Sequence, residues 1–85
     1  MLTAIFIVGK LGPVEGDYRY VLVEKVKHHG DDQSKVEYDR FKVKLWSDIS
    51  GVLQRLREDT MVSIKGRLEE QNGDVFVIAE LFRSF

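Results

Sequence analysis

The sequence has no cysteine, a single proline and no excess of charge of either sign. Without cysteine there is no disulfide and no thiolate metal site, so packing alone must hold the fold. The same absence fits a reducing compartment such as the cytoplasm, without requiring it. Thirteen Lys and Arg meet 14 Asp and Glu, for a formal net charge of −1. That excludes attachment to nucleic acid by bulk charge but leaves room for a local basic face. No apolar run approaches the roughly 18 residues of a membrane helix. The apolar opening, Leu2 to Val8, lacks a basic flank and a small-residue cleavage site, so no signal peptide is expected.

What is present is 85 residues, 44% of them hydrophobic, enough for one globular domain over 1–85. Folding at this size buries only about 60% of the surface of the unfolded chain. The thin core must be well patterned, or a homodimer or homotetramer must supplement it. Strands are expected over 4–11, 18–27, 36–46, 61–69 and 75–83. Gly9, Gly12-Pro13 and Gly16 turn the chain after the first of them. Phe41, Val43 and Leu45 alternate with Arg40, Lys42, Lys44 and Trp46, which sets three apolar side chains inward and the cations and tryptophan outward. The second strand is open: Tyr20 and Leu22 face one way, Val21 and Val23 the other. Between the third and fourth strands, Ile49, Val52, Leu53 and Leu56 recur at helical spacing, so a helix is expected over 47–57 with Ser47 or Asp48 as its N-cap. Val62, Ile64 and Leu68 face one way in the fourth strand and Ser63, Lys65, Arg67 and Glu69 the other, Gly66 marks a bulge or bend, and Asn72-Gly73 predicts a type I′ hairpin. The order β-β-β-α-β-β suits an all-β, five-stranded closed barrel, because closure removes the exposed edges of an open sheet.

Catalysis finds no support. There is no cysteine nucleophile, no Gly-x-Ser-x-Gly turn, no Walker loop and no dinucleotide fingerprint. His28 and His29 lie in a polar loop with Asp31 and Asp32. Adjacent side chains in an extended loop diverge, so neither a metal site nor any other cofactor is expected. Gly9-Lys-Leu-Gly12 matches a nucleic-acid clamp only by letter; glycines for a bend are the better account.

The distribution of charge says more. Lys10, Arg19, Lys25, Lys27, Arg40, Lys42, Lys44, Lys65, Arg67 and Arg83 fall in strand segments, whereas most acids fall in turns and the helix. The neutral total therefore conceals a basic sheet with acidic edges. Cations that track phosphates, interleaved with flat rings that stack on unpaired bases, are what a single-stranded nucleic acid needs. Lysine on outward strand positions also blunts edges and keeps a sheet soluble, and this bland role competes with the first.

Three segments carry a resemblance. Ile5-Phe-Ile-Val-Gly-Lys-Leu11, Phe41-Lys-Val-Lys-Leu-Trp46 ahead of a helix, and Met61-Val-Ser-Ile-Lys-Gly-Arg-Leu68 are similar, in order and spacing, to the first, third and fourth strands of bacterial single-stranded DNA-binding proteins. The resemblance implies an OB-fold Greek-key barrel, binding to single-stranded DNA without sequence preference, and a homo-oligomer. It implies that Trp46 stacks on a base, and it matches Lys10 and Arg67 to basic positions of the family. With Arg40, Lys42, Lys44, Lys65, Arg19, Tyr38 and Tyr20 these make the expected binding residues; Tyr18 is a further stacking candidate. The sequence departs from the family in its short first loop, its trimmed Asn-Gly hairpin, Arg40 at a frequent aromatic position, and an ending, Leu81-Phe-Arg-Ser-Phe85, without the acidic-tipped tail. It resembles the bare core seen in accessory members of the primosomal replication protein B type; a plasmid, phage or organellar variant is the further alternative. RNA in place of DNA is left open as the ligand, and the competing expectation is an adaptor of the primosome or replisome that binds proteins and touches DNA weakly.

Overall fold

The structure, a computed structural model, describes residues 4–26, 36–45 and 48–85. It is a closed barrel of five strands, β1 (Ile5–Glu15), β2 (Tyr18–Glu24), β3 (Tyr38–Lys44), β4 (Met61–Gln71) and β5 (Asp74–Ser84), with one helix, α1 (Asp48–Arg55), between β3 and β4. The order around the barrel is β1-β2-β3-β5-β4, closed by antiparallel pairing of β4 with β1. β3 meets β5 in parallel, Val43 opposite Val77, and the other neighbours are antiparallel. This is the architecture of an OB-fold. No helix among the described residues is long and apolar enough to cross a membrane.

Period-two patterning explains the core. Leu11, Val21, Val43, Val62, Ile64, Val77 and Ala79 point into the barrel, and Leu53 of α1 joins them. Their neighbours in sequence point out, because successive side chains of a strand alternate between faces. The second strand is thereby settled: Val21 is inward with Val23 beside it, and Tyr18, Tyr20 and Leu22 are on the outer face. Phe41, expected inward, and Leu68, expected on the face of Val62 and Ile64, are 40% and 41% exposed. Both have the inward parity and stand opposite core residues, Phe41 opposite Val21 and Leu68 opposite Val77, yet remain partly open.

Several boundaries differ from the sequence expectation. β1 does not stop at Leu11 but runs to Glu15. Gly12 and Pro13 form a bulge opposite Tyr20, where the missing N–H of proline interrupts no ladder bond. α1 ends at Arg55 rather than Arg57, and Val52, expected in its buried stripe, is exposed. Asn72 and Gly73 take φ of 54° and 88°, the doubly positive pair of a type I′ turn, and Gln71 pairs with Asp74 across it. The bulge expected near Gly66 is present: Lys65 pairs with Leu81 but Gly66 with Ala79, leaving Glu80 as the extra residue of β5.

Candidate functional site

Register assembles an outer face across β2, β3 and the start of β5. Tyr18 stands opposite Lys44, Tyr20 opposite Lys42, Leu22 opposite Arg40 and Glu24 opposite Tyr38. Each pair shares the outward parity, so rings and cations interleave. Arg40 lies 5.3 Å from the centre of the Tyr20 ring. Lys42 sits 5.2 Å from the ring of Tyr18, and Lys44 4.6 Å from that of Phe76. Lys10 comes from β1, opposite Leu22, and lies 4.4 Å from the ring of Tyr38. Tyr18 and Tyr20 meet edge to face at 5.4 Å, and Tyr18 and Phe76 at 5.7 Å. The result is a ladder from Lys10 and Tyr38 at one end to Lys44 and Phe76 at the other. Cation–π contact holds the ammonium groups over the rings.

Phe76 is missed by sequence reasoning. It is nearly buried, beneath Lys42 and Lys44, and reaches the ladder only because β5 lies parallel beside β3. Nothing local in the sequence announces that pairing. The acids are the second surprise. Asp17, in the β1–β2 turn, bonds Lys44 at 2.6 Å, and Asp74, just after the hairpin turn, reaches Lys42 at 3.6 Å. Asp59 lies 3.6 Å from Lys10, and Asp39 lies 3.5 Å from Lys25. The acidic edges thus fold back onto the basic face. Arg40 has no carboxylate partner among the described residues; Tyr20 is its neighbour.

The ionisation of these groups follows their contacts. Hydrogen bonding to Lys44 holds the Asp17 carboxyl below its ordinary range, against the opposing effect of desolvation. The Tyr38 phenol, ahead of Asp59, raises the Lys10 ammonium above its usual value. Tyr18 is pushed well up, first by its hydrogen bond with Tyr20, then by burial and by Glu15, whose carboxylate accepts a hydrogen bond from its hydroxyl at 3.1 Å. Tyr18 therefore stays a neutral phenol, and Lys10 a cation, across the physiological range.

Three expected residues fall elsewhere. Arg19 is no surface contact: it is 2% exposed. It has the inward parity of Val21, opposite to Tyr18 and Tyr20. Its Nε donates to the Gly12 carbonyl at 2.9 Å, and one terminal nitrogen donates to the carbonyls of Leu53 and Leu56 at 2.7 and 2.6 Å. The guanidinium is a buried cap on the C-terminal end of α1, where the helix dipole favours a cation. Burial pulls its pKa down, and Glu58 partly restores it. Lys65 is on another side of the barrel, with Phe6 and Leu81 as cross-strand neighbours. Arg67 stands between, opposite Ile78, engaged by Glu69 and Glu80 at 3.5 and 3.4 Å. It borders a cleft of about 140 Å³ that Lys44 and Ile78 also line. Trp46 lies outside the described residues, as do Lys27, Ser47, the two histidines and Asp31 and Asp32.

The glycines of the Gly-Lys-Leu and Gly-Arg-Leu motifs have a structural role. A Cβ at Gly9 would collide with the Leu22 carbonyl, and one at Gly66 with the Ile78 carbonyl. Close strand approach requires both, while the adjacent Lys10 and Arg67 point outward. Among the described residues no group of histidine and acidic side chains is arranged to hold a metal ion. No protein-family model matches the chain, and no curated protein matches it in sequence.

Proposed function

We propose that this chain is a non-sequence-specific single-stranded DNA-binding module of the bacterial single-stranded DNA-binding type, and that its binding face is the outer ladder of β2 and β3. One observation carries the reading: Tyr18, Tyr20 and Tyr38 alternate with Lys10, Arg40, Lys42 and Lys44 on one surface of the barrel. The rings offer flat faces to unpaired bases, and the cations sit within reach of the phosphates between them. Stacking on rings and charge contacts to phosphates give affinity without sequence preference, because every base has a flat face and every nucleotide a phosphate. In OB-folds generally, this strand 2–3 surface is the one that binds oligonucleotides. The role belongs in the cytoplasm, where replication, recombination and repair expose single strands.

The test is fluorescence anisotropy of a labelled, unstructured oligonucleotide at low and moderate salt, with the single tryptophan, Trp46, as an internal reporter. Saturable binding that weakens as salt rises is expected, with unlabelled RNA as a competitor to rank the two nucleic acids. A stacked base is worth roughly 1–3 kcal/mol, so Tyr20→Ala should weaken binding by about 5- to 150-fold. Flat anisotropy at low salt, or an unchanged affinity in Tyr20→Ala, refutes the reading.

A further inference from the structure

The outer face continues past Phe76. In the hairpin register Phe76 stands opposite Glu69 and Ile78 opposite Arg67. Ile78 lies between the inward Val77 and Ala79 and so has the outward parity, yet it is 2% exposed. With Lys44, Arg67, Glu69 and Gln71 it lines a cleft of about 140 Å³. Lys44 belongs to both cleft and ladder, so a strand lying on the ladder passes the mouth of the cleft. Drug-sized ligands need roughly 300 Å³ or more, so the space suits the edge of one ring and not a larger molecule.

The cleft is built differently from the ladder. Its floor is aliphatic, and its walls set a carboxylate beside cations. Gln71 Nε2 donates to Glu69 Oε1 at 2.9 Å and steadies the carboxylate. The Arg67 fork reaches Glu69 and Glu80 at 3.5 and 3.4 Å, longer than the roughly 2.7–3.2 Å of a full N–H···O bond. A carboxylate accepts several hydrogen bonds, and a guanidinium has more donors than these contacts use, so both keep capacity for a ligand.

We infer that this cleft reads the edge of one base in the bound strand and prefers guanine. The inference rests on the proposed function: the ladder supplies affinity whatever the base, and the cleft adds a choice at one position. Guanine presents two adjacent donors, N1–H and the N2 amine, which a carboxylate can accept together. Its O6 lies next to them and its N7 beyond, acceptors for Arg67 and Lys44. Arg67 beside Glu69 thus repeats the order of O6 beside N1–H. Cytosine offers Glu69 its N4 amine alone and ranks second. The adenine amine is flanked by the acceptors N1 and N7, and thymine N3–H by O4 and O2, so each sets lone pairs toward the carboxylate. A free phosphate meets Glu69 with like charge, and a wholly apolar ligand leaves Glu69, Arg67 and Gln71 without partners.

The test is competition against a labelled oligothymidine on the intact protein, read by anisotropy. The competitors are oligothymidines with one central base changed to guanine, cytosine, adenine or hypoxanthine. Guanine should compete at least about fivefold better than thymine, the low end for one well-made edge contact. Hypoxanthine, which lacks the N2 amine, should lose most of that gain. Adenine should gain little, although it stacks as a purine. In Glu69→Gln the guanine and thymine oligomers should compete alike. Three results overturn the inference: equal competition by guanine and thymine; a gain with adenine that matches guanine, which makes the preference one of stacking; or a guanine gain that survives in both hypoxanthine and Glu69→Gln. In each of these oligothymidine still binds, and the proposed function stands. Failure of oligothymidine itself to bind refutes that function and this inference with it. The hypoxanthine comparison changes only the ligand, so it decides whatever Glu69→Gln does to the fold.

Discussion

Replacing Arg19 by methionine separates a structural role from a binding role. The wild-type guanidinium makes three short bonds, at 2.9 Å to the β1 bulge and at 2.7 and 2.6 Å to the end of α1. Each bond to a charged group is worth roughly 1.5–3 kcal/mol. They do not simply add, because desolvating the cation opposes them by several kcal/mol. Methionine fills much of the same space and removes the charge, the bonds and the desolvation cost together. What remains is a set of carbonyls facing a thioether, each costing about 1–3 kcal/mol where water cannot reach it. With the Leu56 carbonyl near the surface and the other two deeper, a net loss of about 3 kcal/mol is expected. In a domain this small each kcal/mol moves the melting temperature by about 4–8 °C, so the midpoint should fall by about 12–24 °C. Arg19→Lys should recover little, since one ammonium cannot reach the bulge and the helix end together. Thermal and urea unfolding followed by circular dichroism give the loss; an unchanged m value shows that the fold is retained. A loss under about 0.5 kcal/mol, the scale of an ordinary surface substitution, refutes the cap. At a temperature where the variant is fully folded, oligonucleotide affinity should match wild type. A drop like that of Tyr20→Ala would return Arg19 to the binding face.

Gly66→Ala should destabilise by more than about 2 kcal/mol, because the new methyl meets the Ile78 carbonyl and strand approach must yield; chemical denaturation reads it directly. Asp17→Asn should flatten the acid limb of the stability curve. With its folded pKa lowered by Lys44, Asp17 stabilises the fold above the ordinary carboxylate range, and this is lost as pH falls through the lowered value. Wild type and variant should differ at neutral pH and converge in strong acid, which thermal melts across that range will show; parallel curves contradict the pairing. Asp17→Asn with Asp74→Asn should tighten oligonucleotide binding and steepen its salt dependence, by about −0.7 in slope for each lysine released to a phosphate. Anisotropy titrations at several salt concentrations would reveal an unchanged slope if the lysines were already free.

The barrel was legible in the sequence wherever a local signal carried it. Alternation over 36–46 and 61–69, the helical spacing after Trp46 and the Asn-Gly turn each act within a few residues. Together they leave a closed five-stranded sheet as the economical solution. What was not legible depends on contacts between segments far apart in sequence. The inward turn of Arg19 follows from its parity with Val21, but the side of β2 that is inward depends on Leu11 and Val43 packing behind it. Once that is known, Arg19 and Tyr20 can no longer share a face, although charge alone had grouped them. Phe76 joins the ladder through a parallel contact that closes only in the barrel, and Lys65 leaves it because β4 is paired with β1 on the far side.

The neutral net charge and the basic face are reconciled by the turns. Asp17 and Asp74 are adjacent in sequence to strand ends, yet they bond lysines of a third strand, β3. Each lysine on the face is already paired, so a phosphate arriving at Lys42 or Lys44 must displace a carboxylate. The exchange trades one charge contact for another and yields less affinity than a free lysine would. It also leaves a carboxylate that regains a counterion, which offsets part of the counterion release that makes binding salt-dependent. Arg40, with Tyr20 as its neighbour and no carboxylate partner among the described residues, is the ladder cation that would meet a phosphate without such exchange. On the proposed function, stacking on Tyr18, Tyr20 and Tyr38 would then carry more of the affinity than charge does. A strand held chiefly by stacking is gripped wherever its bases are unpaired and released when they pair, because a duplex hides the faces the rings need.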